Sequence, residues 1–264
     1  MTAAPDDLTG RVALVTGGSS GLGFAAAQAL GRRGATVVLA SRGGEKLDGA
    51  RDRLAAAGVT AFAIPADVRD AAALIQLAAE TVRQAGPVDI LIANGGGPPP
   101  KPAAELTEDD WALAIPLVFL FIPRLCRLVL PGMRERRWGR IVAINSVSSR
   151  QPIPNLSLSN ALRPAVLGYL KTLSQEVATE GVTVNAVLPG YTQTDRQDEI
   201  ANASAARTGK SREEIVAGWV ANTPMGRMGE PAEIGEVIGF LCTPAAAYVT
   251  GQAIAVDGGY VKGL

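Results

Sequence analysis

Residues 12–23 read Val12-Ala13-Leu14-Val15-Thr16-Gly17-Gly18-Ser19-Ser20-Gly21-Leu22-Gly23. Four apolar side chains in a row suit a strand covered on both faces. The glycines after them permit a tight turn and a close approach of backbone to a bound group. From Leu22 the sequence continues Ala-rich and helix-forming. A helix start leaves N–H groups unpaired and carries the positive end of the peptide dipole, so it favours an anion. Strand, glycine turn and helix in this order form a cradle for a pyrophosphate. A plain strand-to-helix turn would also be Gly-rich, but the surrounding pattern argues for the cradle.

That pattern alternates short apolar runs with longer amphipathic ones. Strands are predicted over 12–16, 36–40, 61–65, 88–93, 141–145, 183–187 and 253–256. Helices are predicted over 22–33, 44–57, 71–84, 108–134, 158–179 and 232–241. Strand–helix–strand repetition implies right-handed crossovers and one parallel sheet of about seven strands. No linker divides residues 1–264, so a single domain is expected. The Gly95–Pro100 stretch follows a strand directly and reads as a functional loop. Residues 191–223 are polar, with Ile200, Ile215 and Trp219 embedded. They read as a helical substrate lid, or as a surface insertion packing three apolar side chains.

Composition excludes several functions. Lys+Arg and Asp+Glu are 25 each, so the formal charge is zero and the basic surplus of a nucleic-acid or membrane-surface binder is missing. There is no histidine, which removes His-based acid/base and nucleophilic sites and His-ligated metals. Cys126 and Cys242 are far apart and read as buried thiols. The first ten residues lack the pattern of a leader. The apolar run 111–123 is short for a bilayer and contains Pro116. A soluble, cytoplasmic protein is expected.

The second strand ends Leu39-Ala40-Ser41-Arg42. A NAD site places an acid near there for the ribose 2′-OH. Here the first acid is Glu45, whereas Arg42 can pair a 2′-phosphate by bidentate donation. The sequence therefore favours NADP over NAD.

Further segments carry a resemblance to the short-chain dehydrogenase/reductase family across nearly the whole chain. Gly17, Gly21 and Gly23 match its TGxxxGxG turn, with Ser19, Ser20 and Leu22 between and beside them. Ala66-Asp67-Val68 resembles its adenine-contacting segment. Ala93-Asn94-Gly95-Gly96 resembles its NNAG segment with the first Asn lost. Ile144-Asn145-Ser146 matches the strand bearing the catalytic Ser. Val184-Asn185-Ala186-Val187-Leu188-Pro189-Gly190 is similar to its VNxVxPG, followed by Thr192 and by Thr194, where a nicotinamide-amide contact is expected. Gly251-Gln252 and Val256-Asp257-Gly258-Gly259 match its carboxyl-terminal signature. The resemblance is nearest the 3-oxoacyl-carrier-protein reductase branch. It implies a Rossmann-type doubly wound α/β fold, a small-molecule substrate, and a homotetramer or homodimer built on the helix around 112–130.

The catalytic positions depart from the family, whose site uses Asn, Ser, Tyr and Lys with the last two as YxxxK. The four tyrosines are followed four residues later by Leu173, Asp195, Gln252 and Leu264, so YxxxK is absent. Two alignments, one from Ser146 and one on YxxxKAAV, place Ser159 at the Tyr position and Arg163 at the Lys position. Val118 takes the Asn position. Only Ser146 is retained, in what resembles a divergent subgroup reading SNxxR.

A phenol ordinarily ionises near 10, and an alkanol far higher. Ser159 is also shorter, so it acts through a relayed water or has no chemical role. Arg163 keeps a cation for the nicotinamide ribose but is too basic to pass protons; a helix-face salt bridge is its alternative. Pro164 beside it should bend or restart the helix. Ser146 can polarise a carbonyl, with Ser148 and Ser149 nearby. Tyr191 is either the remaining phenol acid or an aromatic wall. The basic run Arg134, Arg136, Arg137 and Arg140 suits a helix carboxyl end rather than a ligand. Three functions stand open: an NADP-dependent oxidoreductase on a carbonyl or alcohol with an atypical site, a non-redox cyclase, lyase or isomerase, or an inactive NADP(H)-binding protein.

Overall fold

A computed structural model describes residues 6–263. The leader expectation for the first ten residues therefore lies partly outside the described residues, as do both ends of the expected 1–264 domain. Seven strands form one parallel sheet in the order β3-β2-β1-β4-β5-β6-β7. They are β1 Val12–Thr16, β2 Thr36–Ser41, β3 Ala61–Pro65, β4 Ile90–Ala93, β5 Gly139–Ile144, β6 Val182–Pro189 and β7 Ala253–Val256. The order reverses between β1 and β4, and the carboxyl ends of these strands open a crevice there.

Side chains alternate between two apolar cores, which is why the strands read as unbroken hydrophobic runs. In β1, Val12 and Leu14 join one core while Ala13 and Val15 join the other. Helices α3 (Ala71–Ala85), α5 (Phe121–Glu135) and α6 (Ser157–Val177) cover the first face through Leu74, Leu125 and Val166. Helices α1 (Gly21–Arg32), α2 (Glu45–Ala56) and α9 (Pro231–Cys242) cover the second through Leu30, Leu54 and Ile238.

The predicted helix over 108–134 is built differently. Helix α4 (Glu108–Ile115) passes into a π-helical turn, Pro116–Leu120, and then into α5. Pro116 has no N–H to give the preceding turn, so the winding widens there. The whole stretch Glu108–Glu135 spans 28 residues and is apolar enough, by composition alone, to cross a bilayer. That corrects the reading of 111–123 as too short. Phe121, Ile122, Leu125, Cys126, Val129 and Met133 are instead buried against the sheet. Helix α6 runs unbroken through Pro164, so the expected restart does not occur.

The opposite end of the sheet is held by polar contacts. Buried Asp89 accepts from the Val12 amide at 3.1 Å and from Arg136 Nε at 3.2 Å, with Arg11 at 3.8 Å. Arg134 pairs Glu180, and Arg137 donates to the Thr179 carbonyl at 2.9 Å. Buried Arg140 donates to the Gly139 carbonyl at 2.8 Å and lies over the Trp138 ring. The basic run thus secures this end of the fold.

Candidate active site

The cradle begins at the carboxyl end of β1. Thr16 Oγ1 accepts from the Asn94 amide at 2.9 Å, and Asn94 Nδ2 donates to the Gly17 carbonyl at 3.3 Å. These bonds tie the glycine turn to the end of β4. Gly17 sits at φ +59° and Gly21 at +55°, where side chains are strained. Gly23 faces inward: a Cβ there would lie 2.2 Å from the Gly17 carbonyl oxygen and 2.7 Å from Asn94 Nδ2. Ser20 precedes α1 but its side chain caps nothing, so the first amides of α1 are left for another acceptor.

Above the cradle lies a cavity of about 1050 Å³. Of the expected residues, Gly17, Ser19, Ser20, Gly21, Leu22, Arg42, Asp67, Val68, Asn94, Gly95, Ser146, Ser159, Arg163, Pro189, Gly190, Tyr191, Thr192 and Thr194 all line it. Gly23 does not. Its part is to let α1 pack against the turn.

Arg42 is exposed at the end of β2. Arg69 grips Asp67 through Nη2, at 2.5 Å, and holds its carboxyl below the usual carboxylate range, with Arg42 adding to the effect. Thr192 is buried and donates to the Gly190 carbonyl at 3.1 Å. Thr194 Oγ1 accepts from the Gln197 amide at 3.3 Å and caps helix α7 (Asp195–Thr208). Its hydroxyl is thereby already engaged.

A second group of polar residues gathers around β5 and α6. Ser146 Oγ accepts from the Ser148 amide at 3.1 Å, which fixes its rotamer at the cavity edge. Ser148 Oγ is buried with no partner, although Ser148 lines the cavity. Ser149 Oγ donates to the Ser146 carbonyl at 2.6 Å. Asn145, just before Ser146, donates to the Arg163 carbonyl at 3.0 Å and accepts from Arg163 Nη1 at 3.4 Å. Burial, reinforced by the like charge of Arg196, pushes the Arg163 pKa down to about 10. That is close to an ordinary lysine and still cationic at neutral pH.

Ser159 is buried beside the cavity, one helical turn before Arg163, so the two share a face of α6. Val118, expected at the family Asn position, is buried in the π-helical turn and offers no polar group.

Tyr191 stacks on Trp219 at 4.8 Å and meets Tyr260 edge-on at 5.1 Å. Burial, and then the Tyr260 hydroxyl, raise its pKa above the ordinary phenol value. This makes it a poorer acid and a better wall. Trp219 belongs to α8 (Arg212–Ala221), which with α7 forms the segment expected as the lid. Sequence reasoning missed Asn145 as the anchor of Arg163, and Tyr260 as the partner of Tyr191. The asparagine was visible beside Ser146. No local signal marked Tyr260, because its contact is made across the fold.

A parallel sheet whose glycine turn, helix start and strand ends converge on one cleft defines a dinucleotide-binding α/β protein of the Rossmann type. A family model described as enoyl-(acyl carrier protein) reductase matches residues 17–261. The chain belongs to the short-chain dehydrogenase/reductase family. It is 34% identical over 260 residues to a 3-oxoacyl-acyl-carrier-protein reductase from Vibrio harveyi, covering 96% of this chain and 98% of that one. L-sorbose reductase from Gluconobacter frateurii, solved with NADPH and L-sorbose, superposes with TM-score 0.93 at 29% identity, over 99% and 100% of the two chains. An NADPH-bound short-chain oxidoreductase from Pseudomonas aeruginosa, described as containing an atypical catalytic centre, superposes with TM-score 0.88 at 33% identity, over 98% and 99%.

Proposed function

We propose that this protein is an NADP-dependent oxidoreductase that works on a carbonyl or alcohol through Ser146 and Arg163, without a tyrosine acid. One observation carries the reading. Ser146 and Arg163 line the same cavity as the glycine cradle and Arg42. The NADPH-bound neighbours support the cofactor assignment.

Gly17, Ser19, Ser20, Gly21 and Leu22 would take the pyrophosphate, and the free amides of α1 suit that anion. Arg42 would take the 2′-phosphate. Asp67 and Val68 would border the adenine, and Asn94, Gly95, Pro189, Gly190, Thr192 and Thr194 the remainder. A bound nicotinamide supplies or accepts hydride. Ser146 donates a hydrogen bond to the substrate oxygen, where negative charge grows. Arg163, anchored by Asn145, binds the nicotinamide ribose and adds positive charge to the same region. Ser159 is too short to reach the substrate directly. It leaves room for a water through which solvent supplies the proton. Tyr191, Trp219 and Tyr260 form an apolar wall, and residues 191–223 act as the lid.

The test is calorimetric titration with NADPH, NADP+, NADH and NAD+, followed by single-turnover reduction of a carbonyl panel. NADPH should bind at least about tenfold more tightly than NADH, as an Arg–phosphate pair supplies, and hydride should be lost to at least one carbonyl. Equal affinity for both reduced nucleotides would remove Arg42 from the account. Binding without hydride loss would favour a non-redox or inactive protein.

A further inference from the structure

Arg163 is a cation placed where a reaction occurs, and no acid answers it. Among the described residues no carboxylate lies within salt-bridge distance of its guanidinium. Its one side-chain bond is Nη1 to Asn145 Oδ1, a neutral acceptor at 3.4 Å. A guanidinium has five N–H donors, so most of this fork is unspent. The guanidinium is half-buried at the cavity wall, and a cation held there without a counter-charge is matched best by an anionic ligand. A ribose hydroxyl can satisfy one donor but cannot neutralise the charge.

The surroundings make the surplus larger. Eight Lys or Arg residues line the cavity against four acids. Three of the acids are already paired: Asp67 with Arg69, Asp195 with Lys46, and Glu199 with Arg196. The fourth, Glu214, accepts from the Ser211 amide at 2.7 Å as a helix cap. The chain as a whole has no net charge, so the positive field is concentrated at this cleft. Phosphates of a dinucleotide would account for the Arg42 end. They would not account for Arg163, which lies beside Asn145 and Ser146 at the end of β5.

Space points the same way. Ser159 stands one turn from Arg163 on the same face of α6, and its small side chain leaves the guanidinium open to the cavity. Arg196 borders the same region from α7. It lies across Gly97, where an added Cβ would fall 2.7 Å from Arg196 Nε, and donates to the Pro98 carbonyl at 2.6 Å. Arg196, itself paired with Glu199, therefore closes the loop side of the cleft.

We propose that the substrate is a small carboxylic acid, an oxo acid or its hydroxy counterpart, whose carboxylate is held by the Arg163 fork while Ser146 holds the reacting oxygen. The inference rests on the oxidoreductase reading for its chemistry, but the anion site stands on Arg163 itself. In reduction, the hydride pair passes from NADPH to the carbonyl carbon. The C=O π pair moves to oxygen, and water supplies the proton, giving a hydroxy acid and NADP+. The carboxylate is unchanged.

The test uses the full chain loaded with NADP+. Calorimetry measures binding of acetoacetate and pyruvate, of their methyl esters, and of the N-acetylcysteamine thioester of acetoacetate. The acids should bind about tenfold or more tightly than their esters, the margin expected of a charge-assisted bidentate pair. Arg163→Gln should erase that preference, and Arg163→Lys should restore part of it. The wild-type comparison decides even where a variant fails to fold. Acids that bind no better than esters, or not at all, overturn the proposal. A thioester bound more tightly than the acid also overturns it, in favour of a carrier-linked substrate. NADPH oxidation is followed in parallel. Selective acid binding without hydride loss would sink the oxidoreductase reading and leave the anion site intact. Reduction of neutral carbonyls without acid preference would do the reverse.

Discussion

Replacing Gly23 with alanine probes the cradle where the structure leaves least room. The added Cβ would fall 2.2 Å from the Gly17 carbonyl oxygen and 2.8 Å from its carbonyl carbon. Ordinary contact begins at 3.4 Å, so the turn and α1 must part by about 1.2 Å. Backbone, not a pliable side chain, stands in the way. The separation would also break the Asn94 Nδ2 bond to Gly17, already 3.3 Å long. Overpacking of this kind costs about 1–3 kcal/mol of stability. The larger effect falls on the nucleotide. Losing two amide-to-phosphate bonds at about 1.5–3 kcal/mol each weakens NADPH binding by about a hundredfold or more. Gly21→Ala is the internal control, because its Cβ would meet only Thr194, at 3.5 Å. It should cost about 1–2 kcal/mol of backbone strain for its positive φ, with a smaller loss of affinity. Calorimetry with NADPH, paired with urea unfolding of both variants, separates the two effects. A folded Gly23→Ala protein that binds NADPH as wild type does would refute this account of the turn.

Three other outcomes follow from the same structure. Asp89→Ala should lower stability by about 1–3 kcal/mol in urea unfolding, because it strands the buried Val12 amide and removes the carboxylate from Arg136; an unchanged stability would show that this end of the sheet is held otherwise. Acid affinity should stay flat with pH through the neutral range and fall as pH rises through about 10, since the Arg163 cation exists below its pKa and is lost above it; a break near neutrality would point to another titrating group. Cys126 and Cys242 should resist a thiol reagent in the folded protein and react on unfolding, because burial pushes both thiols up to about 12; rapid labelling of the native protein would contradict their placement.

Much of the sheet was legible because its strands are apolar on both faces, and their residues have no other place to go. The ends were less so. Strand β4 starts at Ile90, two residues after the predicted 88, because Asp89 turns its side chain to the Val12 amide and to Arg136. The π-helical turn was hidden because an apolar run reads alike in α and π winding, and only Pro116 marked it. Helices α7 and α8 were legible in principle. Thr194 caps α7, Gly209 ends it at φ +71°, and Ser211 with Glu214 forms a capping box for α8. The cavity lining was read from spacing and resemblance. The Tyr191–Trp219–Tyr260 cluster was not, since it joins three distant segments. Nor could the sequence show that Arg163 is held by Asn145 and left without an acid.

The decisive measurement is a single turnover with NADPH deuterated at the transferable position, mixed with the full chain and a panel of oxo acids. Deuterium should appear on the former carbonyl carbon of the hydroxy acid as the nicotinamide absorbance is lost, and Ser146→Ala should slow both together. Bound NADPH that keeps its deuterium with every acid and every neutral carbonyl tried would contradict a redox role for this site.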